Sequence, residues 1–239
     1  MKNLAKAGIL ITVLVVPAFI FLFLRTFGEN RFALRRYYPL TDSTTERVLM
    51  RPTPNARFFE AKEDTIFHTI PSFSLTDEQS KTVTEKAIRG KIHVADFFFT
   101  RCETVCPKLS SQLSRVQEIF IDNPDVRLVS YTVDPDHDTP DVLRRYAKEY
   151  DAEPGKWYFL TGQKQEIYDL AQKGYFVAVQ AKGDGQDNPS ETFTHSEKLV
   201  LVDKEGTIRG YYDGTDKVDV DRLILEIRVL LDIYSKHKS

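Results

Sequence analysis

The chain has two cysteines, and both stand in Thr100-Arg101-Cys102-Glu103-Thr104-Val105-Cys106-Pro107. A bridge between positions so close would close almost no loop and stabilise little. The pair therefore reads as chemistry rather than as a staple. On a helix, the i, i+4 spacing sets both sulfurs on one face. Pro107 fits the first turn of a following helix and disfavours α geometry at Cys106. One irregular turn is expected, with both sulfurs near a helix N-terminus, where unpaired N–H groups favour thiolates. Two neighbouring thiolates form a disulfide or hold a soft metal ion; the pair alone does not choose.

His195, in Phe193-Thr194-His195-Ser196-Glu197-Lys198, lies 89 positions beyond Cys106. It ends a loop rich in Gly and Asp and directly precedes a strand pattern. Its spacing fits a surface or capping histidine as well as a ligand. As a ligand it would complete a set of two thiolates and one imidazole, which suits copper: the sulfurs hold Cu(I) and the imidazole helps accommodate Cu(II). Asp134, Asp136 and Asp138 imitate the start of a calcium loop, but Thr139 and Arg145 stand where that loop needs Gly and Glu. The segment reads instead as a strand-to-helix turn, with Asp138 as a support and His137 as an accessory ligand or a plain surface residue. His68, His93 and His237 belong to no motif.

These residues need a frame. His93 to Phe99 is an almost continuous apolar run, the pattern of a strand buried on both faces. Leu109, Leu113, Val116 and Phe120 then recur at helical spacing. Strands are expected at 126–133, 157–160 and 176–179, and helices at 140–150 and 163–173. A hairpin of 198–202 and 208–212 precedes a last helix over 220–234. Strands alternating with helices, closed by a hairpin and a helix, imply an α/β sheet covered on both faces. A thiol pair after the first buried strand is where a thioredoxin-like fold keeps its chemistry.

Ahead of this domain, Ala7 to Leu24 is an uncharged run of 18 residues, about the length that spans a bilayer. No small-residue cleavage site follows it. The expected organisation is a single transmembrane anchor at 1–24, a tether at 25–65 and the folded domain at 66–239. Arg25, Arg31, Arg35 and Arg36 follow the span, and the positive-inside rule alone would keep the domain in the cytoplasm. A net charge of −2 gives no basic excess for nucleic acid.

From about Ile66 to Tyr234 the sequence resembles the Sco/SenC family of copper-binding cytochrome c oxidase assembly factors. Phe97 to Pro107 is similar to its CxxxCP motif, Asp134-Pro135-Asp136-His137-Asp138-Thr139-Pro140 to its D-P-x-x-D-T-P segment, and His195 with Leu199 to Asp203 to its distal histidine and strand. Thr194 departs from the acidic residue that members often carry there. The resemblance implies a thioredoxin-like fold and copper ligation by Cys102, Cys106 and His195. It also implies a metallochaperone for the copper-centre subunit of the oxidase, supplied by an upstream copper donor. It places the domain outside the cytoplasmic membrane, against the arginine count. A thiol–disulfide oxidoreductase, or a redox sensor, is the alternative that the same dithiol allows.

Overall fold

The computed structural model describes residues 13, 15–23, 34–52, 63–181, 193–194 and 197–236. The chain divides into two units, Met1–Ala33 and Leu34–Ser239. In the first, residues 13 and 15–23 are helical. Among the described residues no helix is long and apolar enough to cross a membrane. Ala7 to Thr12, Leu14 and Leu24 of the expected span lie outside them.

The second unit is built on a seven-stranded mixed sheet. Its centre is β5 (Ile92–Phe98), buried at every residue, as its apolar run requires. It pairs in parallel with β6 (Val126–Thr132), and β6 pairs in parallel with β7 (Trp157–Thr161). On one side β10 (Lys198–Val202) runs antiparallel to β5 and carries β11 (Ile208–Asp213). On the other, β3 (Ser74–Asp77) runs antiparallel to β7 and carries β4 (Thr82–Thr84). Two small pairs lie apart from the sheet: β1 (Met50–Pro52) with β2 (Glu63–Thr65), and β8 (Gln180–Ala181) with β9 (Phe193–Thr194).

The helices are α1 (Cys106–Ile119), α2 (Pro140–Glu149), α3 (Lys164–Asp169), which continues into a π turn over Leu170–Gly174, and α4 (Lys217–Lys236). Successive residues of β5 show that both faces are covered. Phe98 packs on Tyr146 of α2, whose hydroxyl lies 2.9 Å from Ser110 Oγ of α1. Phe97 points the other way, against Tyr131 and against Tyr175 just past the π turn.

Two segments differ from the sequence reading. Phe176 to Val179 is no strand, because the chain there wraps back on the π turn. Tyr175 N–H donates to the Leu170 carbonyl and Val177 N–H to that of Ala171, and Phe176 has φ 52°. Pairing starts only at Gln180. The β3–β4 hairpin was not anticipated. Its turn is made by Asp77, whose Oδ1 accepts from the backbone N–H of Gln79 and Lys81. Residues 34–38, within the expected tether, run beside β11. The Arg209 guanidinium, ion-paired to Asp203 at 2.8 Å, donates to the carbonyls of Leu34 and Arg35.

One carboxylate sits inside β5. Asp96 is 1% exposed, and its Oδ1 accepts from Ser130 Oγ of β6, which accepts from Trp157 Nε1 of β7. Burial pushes the Asp96 carboxyl up to about 7. The unfolded chain releases this proton near pH 4 and the folded chain near 7, so between those values the folded state holds more protons and stability falls as pH rises. Asp96→Asn, which mimics the protonated form, will flatten that dependence. Denaturant titrations at pH 4.5 and 7.5 check it, with a wild-type loss of about 3 kcal/mol that the variant lacks.

Candidate metal centre

β5 delivers the chain to the cysteine loop. Past Phe99 it turns, with Cys102 N–H donating to the Phe99 carbonyl, and α1 opens at Cys106. Cys106 is already helical despite Pro107, against the sequence expectation, because Leu109 N–H bonds the Val105 carbonyl and closes the first turn one residue earlier. The N-cap residue Val105 offers no side-chain acceptor. A sulfur takes that place: Cys106 N–H donates to Cys102 Sγ at 3.3 Å.

Both cysteines are free thiols and both are buried. Their surroundings separate them. The Cys106 thiol donates to Cys102, and the backbone N–H groups of Cys106, Thr104 and Val105 add to it, so Cys102 is held well below the ordinary thiol range despite burial. The same contact, together with burial, pushes Cys106 up. The pair therefore carries one proton, with the thiolate on Cys102 at the N-terminus of α1, where the helix dipole favours it.

The approach to Cys102 is clamped from the next loop. Between β6 and α2, the N–H groups of His137 and Asp138 both bond the Asp134 carbonyl and close a tight turn. The fully buried Asp138 accepts from Thr100 N–H at 3.1 Å, from Thr100 Oγ1 at 2.5 Å and from Thr132 Oγ1. Asp134 accepts twice from the Arg101 guanidinium, at 3.1 and 2.5 Å. Both residues ahead of Cys102 are thus fixed by carboxylates from another strand end. Ligand atoms of Asp134, His137 and Asp138 lie within 4.8 Å of one another. These carboxylates already serve the threonines and Arg101, so the group braces the thiol loop. His137, on the exposed side, sits 3.0 Å from Asp138 Oδ1.

His195 lies outside the described residues. The next strand, β10, is antiparallel to β5, with Val200 opposite Ala95 and Val202 opposite His93. It therefore begins at the end of the sheet where β5 runs out toward Cys102. Sequence reasoning overlooked Asp96, although a lone carboxylate in an apolar strand is a legible signal. It also overlooked Thr100 and Arg101 as the partners of Asp138 and Asp134, and nothing local marks that contact.

Two outcomes follow from this geometry. Iodoacetamide will label Cys102 at a nearly constant rate from pH 8 down to pH 6, where an ordinary thiol slows about tenfold per unit. Peptide mass spectrometry will find Cys106 labelled far more slowly, and a tenfold fall per unit at Cys102 would contradict the assignment. Asp138→Ala strips the acceptor from two hydroxyls and one N–H, and will lower unfolding free energy by about 1–3 kcal/mol with an unchanged denaturant m-value.

The chain is similar to proteins already known. Residues 61–232 match the family model described as SCO1/SenC. A SCO1 protein homolog of Bacillus subtilis is 31% identical over 168 residues, covering 70% of this chain and 84% of its own. The structure of BsSco, a member of the Sco family of cytochrome c oxidase assembly proteins in which a disulfide switch has been identified, aligns with TM-score 0.57 at 30% identity. That alignment covers 67% of this chain and 92% of BsSco. Arabidopsis thaliana ScoI with copper bound aligns with TM-score 0.54 at 31% identity, over 66% of this chain and 97% of its own. The sheet and helices are the α/β thioredoxin-like Sco fold, and this chain belongs to the SCO1/SenC family.

Proposed function

We propose that this chain is a membrane-anchored copper metallochaperone. It would hold one copper ion through Cys102, Cys106 and His195 and deliver it to the copper-centre subunit of cytochrome c oxidase. The observation that carries the reading is the buried, unbridged thiol pair with its negative charge held at a helix N-terminus. Two sulfurs of this kind suit Cu(I), and an imidazole from His195 adds the harder donor that Cu(II) prefers. Binding displaces the remaining proton from Cys106, so uptake is coupled to proton release. Ala7 to Leu24 supplies the anchor, with the domain on the outer side of the cytoplasmic membrane, where an upstream donor would load it. A folded domain can be exported whatever its flanking arginines.

The unequal cysteines also favour a second reading, a thiol–disulfide oxidoreductase. The Cys102 thiolate would attack a partner disulfide and release one thiolate. Cys106, on losing its proton, would then attack the Cys102 sulfur and release the second. The partner gains two electrons and this chain ends as the Cys102–Cys106 disulfide.

The two readings part at His195. The anaerobically purified protein will bind one copper per chain, and Cys102→Ser or Cys106→Ser will abolish tight binding. His195→Ala will spare much of the Cu(I) affinity, weaken Cu(II) binding by about 10- to 100-fold or more, and leave disulfide reduction intact. In cells at low copper it will lose oxidase maturation. If maturation survives that substitution, metal delivery is wrong and the reductase reading replaces it.

A further inference from the structure

The start of the second unit carries an arm that the sheet does not cover. Leu40, Leu49 and Ile66 close a ring of backbone hydrogen bonds: Leu40 N–H to the Ile66 carbonyl, Ile66 to Leu49, and Leu49 to Leu40. Beyond the ring, β1 and β2 form a hairpin of three residues a side, and every residue of β1 is exposed. Tyr38, Leu40, Val48, Leu49 and Met50 are each between 37% and 47% exposed. A short hairpin showing apolar side chains gains little stability in water. Several exposed apolar side chains gathered on one short arm mark a surface that meets something else.

The chain itself narrows the choice of occupant. Ten residues, 24–33, separate the arm from the helical segment 15–23, where seven large apolar residues from Val15 to Phe23 are 46–66% exposed. Ten residues reach at most about 35 Å when fully extended. If the apolar segment lies in a bilayer, the arm cannot leave that bilayer's neighbourhood. Its polar residues fit the same place. Tyr38 is of the type that settles at the headgroup level. Arg36 and Arg51 pair with Asp64 of the arm at 3.6 and 3.4 Å, and Arg47 can lay its stem on apolar surface and keep the guanidinium in the headgroups.

We propose that this arm is an interfacial platform that rests on the phospholipid surface of the membrane, its exposed apolar side chains sunk to the headgroup boundary. The proposal builds on the membrane-anchored reading above. It adds an orientation: the arm meets the sheet where Tyr37 N–H bonds the Ile208 carbonyl, the end at which β11 begins. Because β10 and β11 are antiparallel and Val202 lies opposite His93, that end is the one where β5 starts, away from Cys102. The platform would turn the thiol loop toward the water and toward partners.

Tryptophan substitutions in the full chain test this, with the buried native Trp157 as a constant background. Met50→Trp, Phe21→Trp and Leu225→Trp, the last on a 59% exposed position of α4, are reconstituted into nanodiscs of plain or brominated phosphatidylcholine. The added tryptophan at Met50 should lose roughly half its emission to the brominated lipid, as a side chain at the acyl boundary would, and the one at Leu225 none. Quenching at Phe21 without quenching at Met50 would overturn the platform and leave the anchor standing. Quenching at neither would remove both readings. Equal quenching at Leu225 would also overturn it, since the domain would then adhere without a preferred face.

Discussion

The cysteine loop depends on a carboxylate that the cysteines never touch. Asp138 stands in the loop between β6 and α2 and holds the backbone and hydroxyl of Thr100, just past the end of β5 and two residues before Cys102. Loops are ordinarily the least determined parts of a fold. Here, two parallel strands bring their C-terminal ends side by side, Phe98 opposite Thr132, and the acids of one loop fill the hydrogen-bonding needs of the other. The alternative to this pairing is a buried carboxylate and a buried N–H without partners, which costs far more than the bonds themselves contribute.

From that clamp the chemistry of the sulfurs follows. Because the loop cannot relax, Cys102 is pressed against the first N–H of α1, and the helix that starts there uses a sulfur where other helices use an oxygen. The asymmetry of the two thiols is thus a property of position. The sulfurs are alike in kind, but one lies ahead of the helix and the other lies fully buried in its first turn.

Much of this was legible in the sequence, and what was not has physical reasons. β5 showed itself because a strand buried on both faces must be apolar throughout, and α1 because Leu109, Leu113 and Val116 keep a period that only a helix satisfies. The apolar run Phe176 to Val179 looked equally strand-like, yet the Val177 N–H was claimed by Ala171 of the preceding π turn, a contest that composition does not reveal. β3 and β4, at four and three residues, are too short to show a period. Thr100 and Asp138 are 38 residues apart, and only the register of β5 with β6 brings them together. The residue types at the thiol pair announced their chemistry. The residues that hold the pair are ordinary in kind and are distinguished only by where the strands end.

The sulfur at the mouth of α1 has one more consequence. A thiolate that caps a helix binds the helix as much as the helix binds the thiolate, and the two equilibria are linked with equal force in both directions. Whatever removes the negative charge from Cys102, whether a proton or a bond to another sulfur, also weakens the acceptor at the first turn of α1. Each chemical state of the sulfur therefore has its own tendency to fray at Cys106 and Pro107.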